Sequence, residues 1–251
     1  MLKKILFPII SIMVLMMTTN THAKKINVLI WSERTEPEKI YPNGINGAIA
    51  DFLSMHQDLT VKTSNLSDAG YGLSNEALDQ TDVLIWFGHK HHDEVPDEVA
   101  QRVKKHVEEN GMVLIPLHSS HFSKPFKLLM GQSGAWKDYR ETGEPEEIKV
   151  KQFGHPIAKG LEDFTVPQTE VYEEPFDVPT PDDIILTGHW PQSNLSSREV
   201  MTWRKGLGQV IYIRFGHEDY PIFFMPQMQK LITNAVYWGV EESKKMQKAN
   251  A

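Results

Sequence analysis

The sequence predicts a single α/β domain built on a doubly wound, mostly parallel β-sheet. Three observations carry that reading. Short, continuous apolar runs recur at Ile26–Trp31 (INVLIW), Val83–Phe87 (VLIWF) and Met112–Leu117 (MVLIPL), the pattern of strands buried on both faces. Segments of helical periodicity alternate with them. The chain is 251 residues long, enough for one domain with a sizeable core.

The elements follow in order. Behind the first strand, Asn43–Met55 sets Ile45, Ile49, Phe52 and Leu53 at helical spacing, with Asn43 as cap. Thr60–Thr63 reads as a second strand and Val83–Phe87 as a third. Pro96 opens a helix through Val99, Val103 and Val107, closed by Asn110-Gly111. Met112–Leu117 is the fourth strand, and Phe122–Met130 a helix ending at Gly131. The second half changes character. Short strands are expected at Glu147–Val150, Ile184–Thr187, Glu199–Trp203 and Gln209–Ile213, separated by Gly- and Pro-punctuated segments. A final helix from about Met225 to Trp238 covers the sheet. One domain is therefore expected over residues 24–240, with a polar tail at 241–251 that frays from Lys244 onward.

The first residues read as an export signal. Lys3 and Lys4 precede an apolar run from Ile5 to Met17, and a small-x-Ala cleavage site ends at Ala23. As a retained anchor the run is short, since a helical span needs about 20 residues. The expectation is a cleaved signal peptide over residues 1–23 and a periplasmic or extracellular protein with no stable membrane insertion. Losing Lys3 and Lys4 takes the formal charge from −7 to −9. With no basic cluster, that charge argues against nucleic acid as a partner. The chain has no cysteine, which excludes disulfides, thiol catalysis and a lipoprotein anchor.

Position makes the histidines informative, because ligands in open α/β sheets bind beyond the carboxyl ends of the strands. Gly88-His89-Lys90-His91-His92 follows the third strand, His118-Ser119-Ser120-His121 the fourth, and Gly216-His217-Glu218 the strand ending near Ile213. Three strand ends thus deliver histidine to one edge. Neutral imidazole is a common ligand for zinc and other transition metals, with carboxylates completing the set. The i,i+3 pairs His89/His92 and His118/His121 can present two rings on one face. The metal candidates are His89, His92, His118, His121 and His217, holding a divalent ion. The plainer reading is that these histidines cap helices and fill polar gaps.

Other residues are weighed the same way. Lys90 and His91 are expected to face solvent, and His56 and His106 to lie on helix surfaces. His155, in Gly154-His155-Pro156, is expected to orient a turn, and Gly188-His189 follows a strand of uncertain direction. Glu170, Glu173 and Glu174 around Tyr172 offer a ligand or an acid/base, or else form an exposed acidic loop. Glu218 could orient a histidine through its second ring nitrogen. Trp86 and Trp238 are expected in the core, whereas Trp136 and Trp190, among polar residues, suit stacking on a sugar ring. Ser119 and Ser120 stand at a strand-to-helix turn, yet no G-x-S-x-G elbow, P-loop or G-x-G-x-x-G fingerprint is present.

Taken together, Trp86-Phe87-Gly88-His89, His92-Asp93-Glu94-Val95, Leu117 to Lys124, Gly154-His155-Pro156-Ile157, Glu170-Val171-Tyr172 with Glu174-Pro175-Phe176, and Arg214 to Pro221 resemble the ThuA-like family of trehalose utilisation. The resemblance covers about Ile26 to Trp238. It implies a flavodoxin-like three-layer sandwich related to class I glutamine amidotransferases. In that superfamily a cysteine sits at the sharp turn after a central strand. That turn maps to Leu117-His118-Ser119, where histidine replaces the nucleophile, so amidotransferase activity does not carry over. The family's recurrent positions map to His118, Glu170, Tyr172 and His217. His89, His92 and His121 look like the additional set of a histidine-rich branch.

The resemblance implies carbohydrate as the small-molecule partner. One expectation is a metal-dependent enzyme that isomerises, hydrates or cleaves a disaccharide or keto-sugar. His118, Glu170 and Tyr172 would then be catalytic, and Trp136, Trp190 and Lys124 would bind substrate. The other is a non-catalytic carbohydrate-binding protein of the envelope. A homo-oligomer is compatible with both.

Overall fold

In the computed structural model, residues 24–250 are described, so the expected signal peptide lies outside the described residues. Eleven strands and five α-helices form along them: β1 (Ile26–Ser32), α1 (Gly44–Leu53), β2 (Leu59–Asn65), α2 (Asn75–Asp79), β3 (Val83–Phe87), α3 (Asp97–Asn110), β4 (Val113–Leu117), α4 (Lys124–Met130), β5 (Trp136–Arg140), β6 (Glu146–Val150), β7 (Phe164–Val166), β8 (Val171–Phe176), β9 (Asp183–Trp190), β10 (Leu195–Lys205), β11 (Gly208–Ile213) and α5 (Pro226–Ala249).

Nine strands make one sheet in the order β2-β1-β3-β4-β11-β10-β9-β6-β7. Pairing is parallel from β2 through β11 and antiparallel from there to β7. The parallel half is the one the continuous apolar runs announce, because both faces of those strands are covered. Alternate residues point to opposite faces. Val28 and Ile30 pack with α1 and α5 on one side, while Leu29 and Trp31 pack with α3 and α4 on the other. The result is a three-layer α/β sandwich with helices on both faces of the sheet.

Several expectations shift. β5 and β8 pair antiparallel as a separate two-stranded ribbon. Their sequences, WKDYR and VYEEPF, carry charges and a proline that obscure the strand pattern. Asn43 makes no side-chain cap to α1. His106 is buried rather than on the surface, held by the Arg102 carbonyl and Asp79 at 3.0 and 2.9 Å. The residues expected to fray instead continue α5, whose Val240, Ser243 and Met246 stay buried. None of the described helices is long and apolar enough to cross a membrane.

Candidate active site

The strand order explains why histidines distant in sequence converge. β3, β4 and β11 are neighbours, all parallel, so the turns after Phe87, Leu117 and Ile213 open on one edge. The turn after β4 is abrupt: His118 has φ +51°, a left-handed conformation that costs a β-substituted residue about 1–2 kcal/mol. The turn after β3 is wrapped around a carboxylate. Glu33, directly beyond β1, accepts hydrogen bonds from the amides of His89, Lys90 and His91 at 2.8, 2.7 and 2.8 Å. Its side chain is completely buried. The Gly88 amide donates to Ser120 Oγ, and that hydroxyl donates to the Trp86 carbonyl, both at 2.9 Å. These contacts tie the β3 turn to the β4 turn.

Three imidazoles meet there. Ring centroids lie 5.9 Å apart for His89 and His118, 5.0 Å for His89 and His217, and 5.2 Å for His118 and His217. The Glu170 carboxylate closes the group. Oε2 is 3.0 Å from His118 Nε2 and Oε1 is 3.7 Å from His217 Nε2, and the Tyr172 hydroxyl donates to Oε2 at 2.9 Å. Glu218 faces the same space, in contact with His89 Nδ1 and 2.8 Å from Lys90 Nζ. Two trios, His118/Glu170/His217 and His89/His217/Glu218, each bring three ligand-type atoms within 4.8 Å of one another.

The electrostatics follow from burial in company. Burial alone would raise Glu170, but His118, His217 and the Tyr172 hydroxyl outweigh it and bring the carboxyl down to about 2. Glu218 falls to about 2 in the same way, through His89 and Lys90. Burial, with His118 alongside, lowers His217 to about 4. His89 is desolvated too, yet Glu218 dominates and its pKa rises. Tyr172 is driven well above the usual phenol range by burial and by Glu170, so its hydroxyl keeps its proton.

The tautomers divide the work. His118 Nδ1 lies 3.0 Å from the Arg214 carbonyl, which only an N–H can satisfy, so in the neutral ring Nε2 carries the lone pair that an ion between it and Glu170 would take. His217 Nδ1 accepts the Asp219 amide at 3.0 Å, so the neutral ring carries its proton on Nε2. Arg214 sets both partners. Its carbonyl orients His118, and its guanidinium donates to the Glu170 carbonyl at 3.0 Å. That guanidinium is fully buried between the carboxylates of Glu146 and Glu199 and lies over the Trp190 ring, 4.7 Å from its centroid.

Not every expected site residue reaches this centre. His92 and His121 belong to neither trio. His92 sits 3.4 Å from Glu33 Oε1 and against Phe122. The Nδ1 of His121 donates to the Gly134 carbonyl at 2.6 Å, and its ring packs among Phe122, Tyr172, Phe176 and Tyr212. Burial takes His121 down to about 3. Trp136 and Trp190 are not sugar platforms. Trp190 is fully buried beneath Arg214. Trp136, 7% exposed, is stacked face to face on Phe176 at 4.1 Å. Lys124 is tied to the start of α3, 2.8 Å from Asp97 and 3.3 Å from the Asp93 carbonyl. His155 caps a turn by accepting the Ile157 amide at 3.2 Å, and His189 pairs with Ser196 on β10. Glu33, Glu146, Glu199 and the Arg214 guanidinium had no signal beyond isolated charges in or beside strands.

A family model described as ThuA, trehalose utilisation, matches residues 27–239. No curated protein matches the sequence. Among solved structures, a ThuA-like protein from Parabacteroides merdae is 16% identical with a TM-score of 0.66, over 86% of this chain and 90% of that one. A second, from Bacteroides uniformis, is 18% identical with a TM-score of 0.62, over 88% and 94%. A glutamine amidotransferase from Thermotoga maritima shares the fold at 10% identity, with a TM-score of 0.50 over 91% and 94%.

Proposed function

The chain belongs to the ThuA family of trehalose utilisation, and on that premise we propose that it is a metal-assisted enzyme acting on a disaccharide or its keto form. One observation carries the proposal: two buried Nε2 atoms, on His118 and His217, have no hydrogen-bond partner and face a single buried carboxylate, Glu170, at 3.0 and 3.7 Å. Those spacings suit ligands of one ion at bond lengths of about 2.0–2.2 Å. His118 arrives as the ligand-ready tautomer. His217 must shift its proton from Nε2 to Nδ1 and give up the Asp219 amide, and protonation of the rings in acid weakens ion capture.

A bound divalent ion would polarise a sugar carbonyl or activate water. The chain's own groups supply the rest. Glu170 is held ionised and can accept a proton. Tyr172, hydrogen-bonded to Glu170, can relay a proton only by taking one from that carboxyl as it gives one up. Glu218 fixes the tautomer of His89 through Nδ1. We place this chemistry outside the cytoplasm, because the first 23 residues have the charged, apolar and small-residue order of a cleaved export signal.

The test is metal analysis of protein purified without an affinity tag, alongside turnover of trehalose and an oxidised, keto-bearing trehalose. About one divalent ion per chain and product formation that stops on chelation are expected. Saturable sugar binding without product would favour a carbohydrate-binding protein. Full activity after complete metal removal would defeat the metal assignment.

A further inference from the structure

We propose that Tyr139 and Tyr220 form the subsite that receives the sugar ring, and that it selects a neutral rather than a phosphorylated sugar. This rests on the reading above that the centre acts on carbohydrate.

The tryptophans nearest the site are packed inside, yet an aromatic face is open beside it. Tyr139 is 56% exposed. In the β5–β8 ribbon it pairs with Tyr172, and the two rings lie 6.1 Å apart with 27° between their planes. The Tyr172 hydroxyl in turn donates to Glu170. An exposed ring thus lies against a buried ring whose hydroxyl holds the reacting carboxylate. A large aromatic left in water beside a buried polar centre gains by receiving an apolar face, and the C–H face of a pyranose is one.

Tyr220 bounds the other side. Its ring lies 5.5 Å from that of His217, and its carbonyl accepts the Tyr41 hydroxyl at 2.5 Å, which fixes the backbone. The loop after β5 closes against it. Gly143 has φ +66°, and a Cβ there would stand 3.1 Å from the Tyr220 hydroxyl. Four residue steps lead from Tyr139 to Gly143, at most about 14 Å. The two tyrosines thus each adjoin the centre, Tyr139 through Tyr172 and Tyr220 through His217, and the loop after β5 runs between them.

The charges around the two tyrosines set the class of ligand. Glu141 and Asp219 act on both Lys90 and Tyr220. Lys90 is already engaged by Glu218. Beside Tyr139, Lys137 and Arg140 are likewise paired, with Glu173 and Asp138, so the cations near the two tyrosines are engaged while Glu141 and Asp219 stand exposed. A neutral polyol can hydrogen-bond to such a surface, whereas a phosphate would meet like charge.

Calorimetric titration with trehalose, maltose, sucrose and trehalose 6-phosphate tests this on the wild type and on Tyr139→Ala and Tyr139→Phe. Metal content and far-UV circular dichroism of each variant report whether the centre and the fold survive. Binding of at least one neutral disaccharide is expected, with trehalose 6-phosphate bound at least about tenfold more weakly than trehalose. Tyr139→Ala should weaken disaccharide binding by about tenfold with metal content unchanged, and Tyr139→Phe should stay within about threefold of wild type. Wild-type affinity retained in Tyr139→Ala would overturn the subsite and leave the carbohydrate reading standing. Tighter binding of the phosphorylated sugar would overturn the selectivity. No binding of any disaccharide by the wild type would overturn both the subsite and the carbohydrate reading.

Discussion

Arg214 is one cation held between two buried carboxylates, and that imbalance predicts an unusual pH dependence. Burial, aided by neighbouring Glu199, raises the Glu146 carboxyl well above its ordinary value against the opposing pull of Arg214. Below about 4.5 the folded and unfolded chains both hold the Glu146 proton. As pH climbs past that point the unfolded chain releases it and the folded chain keeps it. Each pH unit then removes about 1.4 kcal/mol of stability, until the folded carboxyl also ionises. Glutamine at 146 keeps the shape and carries no titrating proton. Glu146→Gln should therefore gain on the wild type by about 1.4 kcal/mol per pH unit above pH 5. Urea unfolding followed by tryptophan fluorescence at pH 5, 6, 7 and 8, with chelator present throughout, measures the difference directly. The lowered values of His121 and His217, about 3 and 4, give the opposite slope below about 6.5, but both proteins share it. Removing the cation is a different perturbation. Arg214→Met leaves two buried carboxyls uncompensated and should cost about 3–5 kcal/mol at pH 7. Parallel stability curves for wild type and Glu146→Gln would refute the argument that folded Glu146 keeps its proton.

Three further outcomes are expected. His118→Ala should lower metal affinity by at least about a hundredfold while far-UV circular dichroism stays native, as read by inductively coupled plasma mass spectrometry after dialysis. Glu33→Gln replaces an anion that accepts three amides, and should cost about 1.5–3 kcal/mol; hydrogen exchange at residues 89–91 should quicken more than in the rest of the sheet. Trp190→Phe should lose about 1 kcal/mol from its contact with Arg214 yet leave disaccharide affinity unchanged, since that ring is buried. A large loss of affinity in this variant would restore Trp190 as a substrate contact.

The legible part of this molecule was the part governed by local pattern. β1, β3 and β4 are apolar from end to end because the sheet is covered on both faces, and their ends therefore marked where His89 and His118 would stand. His217 followed from the same rule applied to β11. What resisted reading depends on partners far along the chain. Trp190 and Trp136 sit among polar neighbours in sequence, and only the packing of β8 and β11 shows that they are enclosed. Glu146, Glu199 and Arg214 look like solvent-facing charges until β6, β10 and β11 bring them together. His92 and His121 share their turns with His89 and His118, but the i,i+3 spacing does not place either partner in a trio. β8 hid behind two glutamates and a proline, so the strand that carries Tyr172 and adjoins Glu170 read as a loop.

The position of β11 has a consequence for when the protein can act. It is the last of the described strands in chain order, yet it is inserted at the middle of the sheet, between β4 and β10. A nascent or truncated chain ending before it would own two of the three imidazoles, with no seam to join its two halves. Such a fragment should be inert as well as unstable. Competence should arrive in one step, once the carboxyl-terminal residues have emerged and threaded the gap.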